Sequence, residues 1–458
     1  MADYDAIVIG TGQSGPALTR RLVAASWKVA IIERKLFGGT CVNTGCTPTK
    51  TLVASAYAAH LARRSAEYGV TIDGPIGVDM KKVKARKDAI AGASREGVER
   101  SLKTLKGCTV YEDHAQFSGP KEVKVGNEML RADKIFINVG GRAVVPPIPG
   151  LDQVPYLTNS SMMDVDFLPR HLVVLGGSYI GLEFAQMYRR FGSEVTVIEL
   201  ATHLIPREDA DVSQAVADFL KDEGIDIRVN SKVVGVERKG NDIAVSVETG
   251  GKQSQVAGSH LLLAIGRRPN TDDLGLDKAG VATDPRGYIE VDDQLCTNVP
   301  GIWALGDCNG RGAFTHTSWN DFEIVAANLL DNDPRRVSDR ITAYALYTDP
   351  PLGRAGMTEA EVRKSGRPAL IATIAMEDVS RAYEKGETKG FMKILVDQET
   401  KQILGASLLG VSGDEVIHCI LDVMYAKAPS TVLRRAMHIH PTVSEFIPTM
   451  LEDLVPLR

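Results

Sequence analysis

Twice along this chain an apolar run ends in a glycine-rich turn, opens a helical pattern and returns as a second apolar run closed by glutamate. The first copy reads Ala6-Ile7-Val8-Ile9-Gly10-Thr11-Gly12-Gln13-Ser14-Gly15, a helical pattern through Ala25, then Val29-Ala30-Ile31-Ile32-Glu33. The second reads Leu172-Val173-Val174-Leu175-Gly176-Gly177-Ser178-Tyr179-Ile180-Gly181, a helix to Phe191, then Val195-Thr196-Val197-Ile198-Glu199. Strand, turn, helix and strand in that order predict a parallel, doubly wound α/β sheet. Glycines at this spacing let a pyrophosphate reach the backbone N–H groups at the helix start, and an acid about 20 residues on accepts from a ribose hydroxyl. Two dinucleotide sites are therefore expected, one on Gly10, Gly12, Gly15 and Glu33, the other on Gly176, Ser178, Gly181 and Glu199. Ser178 holds the middle glycine position, where a small side chain can itself donate to a phosphate.

Glu199 accepts from the 2′-hydroxyl of NAD and repels the 2′-phosphate of NADP. No arginine follows before Arg207, so NAD(H) is favoured over NADP(H). Two dinucleotides in one chain imply that they exchange electrons.

Just after the first unit comes Gly38-Gly39-Thr40-Cys41-Val42-Asn43-Thr44-Gly45-Cys46-Thr47-Pro48-Thr49-Lys50. A regular helix rises about 1.5 Å per residue, which would hold Cys41 and Cys46 beyond the roughly 7 Å Cα limit of a disulfide. If they pair, the backbone between them bends; Gly45 permits that, and Pro48 can open the helix that follows. Such a site suits a bond that is made and broken. In a reducing compartment a close cysteine pair is catalytic or metal-binding more often than structural. Cys108, Cys296, Cys308 and Cys419 are scattered and expected to be structural.

The length of 458 residues allows roughly three domains. A net charge of −5 argues against a nucleic-acid or anionic-membrane partner. With no basic leader, cleavage site or membrane-length apolar run, a cytoplasmic protein is expected. Lys134 to Gly141 and Leu261 to Asn270 each read as a strand running into a glycine turn, at Gly140 and Gly266, where the chain would cross between nucleotide domains. From about Thr342 the pattern becomes amphipathic strands and helices without a nucleotide motif, which suits an interface domain.

These residues resemble the FAD-dependent pyridine nucleotide–disulfide oxidoreductases, whose members include dihydrolipoamide dehydrogenase, glutathione reductase and mercuric reductase. Gly39 to Cys46 resembles the family's redox-active disulfide motif. Gly301-Ile302-Trp303-Ala304-Leu305-Gly306-Asp307 is similar to its second FAD motif, and His438-Ile439-His440-Pro441-Thr442-Val443-Ser444-Glu445 to its C-terminal active-site motif. The resemblance implies an α/β fold with two Rossmann-like domains and a C-terminal α+β dimerisation domain. It implies an FAD domain at 1–150, an NAD(P) domain at 151–268, a second FAD segment at 269–338 and an interface domain at 339–458. It further implies FAD on Gly10, Gly12, Gly15, Glu33, Thr40, Lys50, Gly140, Gly306 and Asp307, and NAD on Gly176, Ser178, Tyr179, Gly181, Glu199 and Gly266. Cys46 would face the flavin and Cys41 the substrate. His440 would act as acid/base with Glu445 as its orienter, contributed across a homodimer with a shared active site. Lys50 would pair with Glu183 beside the flavin. Tyr179 would be either an aromatic gate over the nicotinamide or a packing residue.

The acceptor stays open. Val42-Asn43 and the unusual Phe314-Thr315-His316-Thr317-Ser318-Trp319 resemble a mercuric-reductase-like subgroup linked to metal-ion reduction and oxidative stress. His316 there would be a ligand or electrophile near the flavin, or a helix-cap packing residue. Two hallmarks of mercuric reductase, an N-terminal C-x-x-C module and a C-terminal cysteine pair, are not found in this sequence, which argues against mercury as substrate, while His440 and Glu445 suit a disulfide. The expected function is electron transfer from NAD(P)H through FAD and the Cys41–Cys46 disulfide to a small disulfide or soft metal ion. Dihydrolipoamide dehydrogenase is the first alternative and a non-turnover flavin redox sensor the second. A plain NAD(P)H oxidase or transhydrogenase is disfavoured by the cysteine pair. No resident metal is expected.

Overall fold

The first apolar run becomes β1 (Ala2–Ile9), the centre of a seven-stranded sheet. The structure is a computed structural model describing residues 1–458. From β1 the chain passes into α1 (Ser14–Ala24) and returns as β2 (Val29–Ile32). Three helices follow: α2 (Gly39–Asn43), α3 (Cys46–Arg63) and α4 (Met80–Lys103). Asp79 caps α4 by accepting from the N–H groups of Lys81 and Lys82, each at 3.1 Å, which satisfies donors that an uncapped helix leaves orphaned. β3 (Cys108–Tyr111), β4 (Ala115–Gly119), β5 (Glu122–Val125) and β6 (Glu128–Ile137) complete the order β3-β2-β1-β6-β5-β4. β1 runs parallel to both neighbours, Val8 lying opposite Ile31 and Phe136. Ala6, Ile7 and Val8 have no exposed surface, as a central parallel strand covered on both faces requires.

A short antiparallel ribbon marks each crossing of the chain, β7 (Gly141–Ala143) pairing with β16 (Arg267–Pro269). Between them lies a five-stranded parallel sheet of β8 (Leu157–Thr158), β9 (His171–Leu175), β10 (Glu194–Ile198), β11 (Asp226–Arg228) and β15 (His260–Leu263), in the order β11-β10-β9-β15-β8. Helix α5 (Tyr179–Phe191) connects β9 to β10, and α6 (Ala210–Asp222) connects β10 to β11. An antiparallel meander, β12 (Ser231–Lys239), β13 (Asp242–Thr249) and β14 (Lys252–Gly258), covers the sheet. After α7 (Leu276–Ala279) the chain returns to the first sheet as β17 (Ile302–Ala304), parallel to β6, and enters α8 (Thr315–Ala326).

The last quarter forms a six-stranded antiparallel sheet. Its elements are β18 (Ala343–Leu346), β19 (Leu352–Gly356), α9 (Glu359–Ser365), β20 (Ala369–Ala375), α10 (Ser380–Glu384), β21 (Phe391–Asp397) and β22 (Ile403–Leu409). Then come α11 (Gly413–Tyr425), α12 (Thr431–Arg435), α13 (Phe446–Met450) and β23 (Val455–Pro456). This sheet grips the second parallel unit through buried charges. Arg354 on β19 and Lys393 on β21 are 1% exposed. Arg354 donates to Glu208 (3.0 Å through Nε) and Asp209 (3.1 Å), just before α6, and Lys393 to Asp211 (2.8 Å). Charges this deep persist only when paired, and removing one partner typically costs about 3–5 kcal/mol. No helix is long and apolar enough to cross a membrane.

Candidate active site

Cys41 lies in the single turn of α2, and Cys46 is the first residue of α3. Thr44 and Gly45 break the helix between them, with φ −140° and −132°. A Cβ on Gly45 would sit 2.8 Å from the Thr40 carbonyl oxygen, so glycine lets the two turns fold together. The second helix opens at Cys46 itself, two residues ahead of Pro48, which occupies the first turn where its missing N–H costs nothing.

Both cysteines are free thiols in the structure. The Cys46 sulfur meets Thr315 Oγ1 at 3.1 Å, at the start of α8. Its pKa falls from the ordinary thiol value to about 6, first because the Cys41 thiol donates to it, then through Thr315 and the Lys50 charge. Desolvation by the surrounding protein opposes the shift, although part of Cys46 remains accessible. The same hydrogen bond drives Cys41 upward, so its proton stays on. The pair holds one proton unequally: thiolate on Cys46, thiol on Cys41.

Lys50 follows one helical turn later and donates to Glu183 of α5 at 2.6 Å. Tyr347, which sequence reasoning did not single out, completes this group. Its backbone N–H donates to the other Glu183 oxygen at 3.1 Å, and its ring lies 4.5 Å from the Lys50 ammonium. Three parts of the chain thus converge beside the cysteines.

The two glycine turns are built alike. Gly10 and Gly176 have φ of +105° and +109°, and a Cβ on either would strike a neighbouring strand's carbonyl oxygen at 2.2 Å (Asn138) or 2.4 Å (Ala264). A Cβ on Gly15 or Gly181 would lie 2.2 or 2.0 Å from the carbonyl of Gly10 or Gly176, so these glycines seat helix on strand. Glu33 accepts from Thr11 N (3.1 Å) and Oγ1 (2.6 Å); Glu199 accepts from Gly177 N (2.6 Å) and Ala201 N (2.7 Å). The backbone N–H groups of Gly12, Gln13 and Ser178 find no acceptor within the chain. Orphan donors at a helix start beside such a close-packed turn fit a pyrophosphate at both places. The protein's residues therefore fit two dinucleotides.

Around the first turn, Asn138 accepts from Gly15 N (2.9 Å) and donates to Leu305 O (3.2 Å), and Arg267 reaches Asp307 (3.4 Å) and Thr40 Oγ1 (3.4 Å). Burial raises the Asp307 pKa against the pull of Arg267. Buried Asp321 accepts from Gly306 N at 2.7 Å and holds that turn. Gly140 and Gly266 sit at the two crossings, with φ of +64° and +126°. Asn138, Arg267, Asp321 and Thr315 escaped sequence reasoning because each acts across elements distant in the chain.

His440 is 75% exposed and its Nδ1 meets both oxygens of Glu445, at 3.1 and 3.0 Å. Its Nε2 has no partner, and no hydrogen bond joins it to either cysteine of its own chain. Met437 and Ile439 beside it are 98% and 80% exposed, an unusually bare apolar stretch. His316 donates through Nε2 to Ala343 O at 2.7 Å, and its ring stacks on Phe314 at 5.3 Å.

Residues 4–321 match the family profile described as pyridine nucleotide-disulphide oxidoreductase. The chain belongs to that family. Residues 342–451 match the dimerisation domain of the pyridine nucleotide-disulphide oxidoreductases. The chain is 38% identical to the probable pyridine nucleotide-disulfide oxidoreductase RclA of Escherichia coli strain K12, covering 100% of each chain. It is 32% identical to a mercuric reductase of Streptomyces lividans, over 96% of this chain and 94% of the relative. It is also 32% identical to a dihydrolipoyl dehydrogenase of Thermus scotoductus, over 99% and 98%. A solved Cu(II) complex of the HOCl-induced flavoprotein disulfide reductase RclA from E. coli superposes with a TM-score of 0.90 at 36% identity, covering 98% of this chain and 99% of that one. The protein is accordingly an FAD-dependent oxidoreductase that uses a pyridine nucleotide, and it carries the family's dimerisation domain.

Proposed function

We propose that the protein passes electrons from NADH, through FAD, to the Cys41–Cys46 disulfide and from there to a small disulfide or a soft metal ion. The observation that carries this reading is the placement of Cys41 and Cys46 on either side of the break between α2 and α3, with Thr315 Oγ1 3.1 Å from the Cys46 sulfur and the Lys50–Glu183 pair one helical turn on. FAD, when bound, accepts a hydride from the nicotinamide and returns an electron pair to the disulfide. The first glycine turn, Glu33, Thr40, Gly140, Gly306 and Asp307 would hold it, with Lys50 and Glu183 beside the reacting ring. The second turn, Ser178, Glu199 and Gly266 would hold the nucleotide, with Tyr179 as its aromatic cover. The carboxylate of Glu199 favours NADH, since its oxygens already occupy the ribose end of β10.

With the pair reduced, Cys41 attacks a substrate disulfide as its proton passes to His440 of the partner subunit, whose Nδ1 is held by Glu445. A Cys41–substrate disulfide forms and the first substrate thiolate leaves, taking the proton from the imidazole. The Cys46 thiolate then attacks the Cys41 sulfur, releasing the second substrate thiolate and restoring Cys41–Cys46. A soft ion such as Cu(II) would be bound by the two sulfurs and take one electron; two such ions oxidise the pair to the disulfide with loss of the one proton held on Cys41. The Cu(II) complex of RclA supports this second class of acceptor. His440 and Glu445 support the first, in the manner of dihydrolipoamide dehydrogenase. A dimer that buries Met437 and Ile439 would bring His440 to the neighbouring cysteines. A cytoplasmic location fits a pair that must stay reducible.

Anaerobic reduction with NADH and, separately, NADPH, followed by reoxidation with lipoamide, oxidised glutathione, Cu(II), Hg(II) and quinones, tests the reading. Faster reduction by NADH is expected, with reoxidation by a disulfide or Cu(II) abolished by alkylating the reduced enzyme. Reoxidation by quinone alone, insensitive to alkylation, would overturn it.

A further inference from the structure

Tyr179 does not stand alone at the start of α5. Its ring meets Tyr344 edge-on, with centroids 5.5 Å apart at 75°, and Phe314 edge-on at 6.2 Å and 85°. Tyr344 and Phe314 are themselves stacked at 5.6 Å and 17°, and His316 stacks on the far side of Phe314 at 5.3 Å and 11°. The three rings form a rigid slab with Tyr179 against its side. The slab is tied at both ends. His316 donates to the carbonyl of Ala343, next to Tyr344, and the Tyr344 hydroxyl donates to Glu208 at 2.7 Å. Glu208 is in turn held by fully buried Arg354 of β19.

Tyr179 is the loose member. Its hydroxyl is buried beside that of Tyr344 without making a hydrogen bond of ordinary geometry. A buried O–H without an acceptor disfavours the position it occupies, since turning outward would restore hydration. The edge-on contacts to Tyr344 and Phe314 hold it inward. The ring is thus poised between two opposed terms, and the slab sets the balance.

We propose that Tyr344, anchored through Glu208 and Arg354, is a positioning residue that holds Tyr179 over the nicotinamide side of the flavin and so sets access to it. This rests on the reading of Tyr179 as the cover of that site. It also accounts for the aromatic start of α8, which supplies the middle of the slab, and it links the nucleotide site to the C-terminal sheet through one side chain.

Acrylamide quenching of flavin fluorescence in the oxidised holoenzyme, with the dissociation constant of NAD+, measures access without turnover. Tyr344→Ala removes one edge contact and is expected to raise the quenching constant and alter NAD+ affinity, by a factor of about 2 to 10. The change should match that of Tyr179→Ala, and the double variant should go no further than either single one. Tyr344→Phe keeps the stacked ring and loses only the tie to Glu208, so it should fall between wild type and Tyr344→Ala, which separates loss of the slab from misfolding. If Tyr179→Ala changes access but Tyr344→Ala does not, or if the two effects add, the proposal for Tyr344 fails and the cover survives. If Tyr179→Ala itself leaves both readouts unchanged, the cover reading fails and this proposal with it.

Discussion

Around the Cys46 sulfur the Cys41 thiol, the Thr315 hydroxyl and the Lys50 ammonium all favour the anion, while desolvation and the Glu183 carboxylate oppose it. The favourable side wins because two of the three are direct hydrogen-bond partners, and such bonds to a charged acceptor exceed neutral ones. The sign follows: Cys46 is thiolate above its pKa of about 6 and gains a proton as the pH falls through it. The long-wavelength thiolate–flavin band of the two-electron-reduced enzyme should therefore fade with a midpoint near pH 6. Thr315→Val, which removes one donor and keeps the shape, should raise that midpoint by about one pH unit. An unchanged midpoint in a pH titration of this variant would mean that the 3.1 Å contact contributes nothing. Cys41 and Cys46 were legible as a candidate pair from the motif that holds them, Gly39 to Cys46, with Gly45 permitting the bend. That Cys46 is the flavin-side, charged member came from the resemblance and not from the local pattern, because its partner Thr315 is 269 residues away in the chain.

At the scale of elements, each glycine turn works as a joint between strand and helix. Gly15 and Gly181 hold α1 and α5 against the carbonyls of Gly10 and Gly176, so an added methyl would push each helix away from its own strand. Gly15→Ala should lower the flavin content of the purified protein, read from its absorbance ratio, with nucleotide binding to the second unit little changed. Gly181→Ala should weaken NADH binding about tenfold or more while the flavin stays bound, since misplaced donors lose charge-assisted bonds to phosphate. Equal loss of both ligands in either variant would contradict the separate assignment of the two turns. Both strand–turn–helix units were readable because their periodicity and glycine spacing are local. α3 begins two residues ahead of Pro48, at Cys46, because a proline anywhere in the first helical turn loses no intrahelical hydrogen bond. The ribbon between β7 and β16 and the grip of Arg354 on Glu208 join segments far apart in the chain, and no local pattern announces them.

For the whole molecule, the geometry of one chain leaves His440 oriented by Glu445 but unconnected to a cysteine, within an exposed apolar stretch. The account places His440 of the partner subunit at Cys41. Mixing inactive Cys41→Ser and His440→Ala proteins under conditions of subunit exchange should then restore about a quarter of wild-type activity, since half of the dimers regain one complete site. No recovery, with exchange shown by mass, would place His440 in the service of its own chain. The central claim is that electrons leave only through the cysteine pair. It is tested most directly by Cys41→Ser, followed through anaerobic flavin reduction by NADH and then acceptor turnover. The flavin should still be reduced at close to the wild-type rate while reduction of disulfide and Cu(II) falls at least about a thousandfold. Full acceptor turnover by Cys41→Ser would contradict the account.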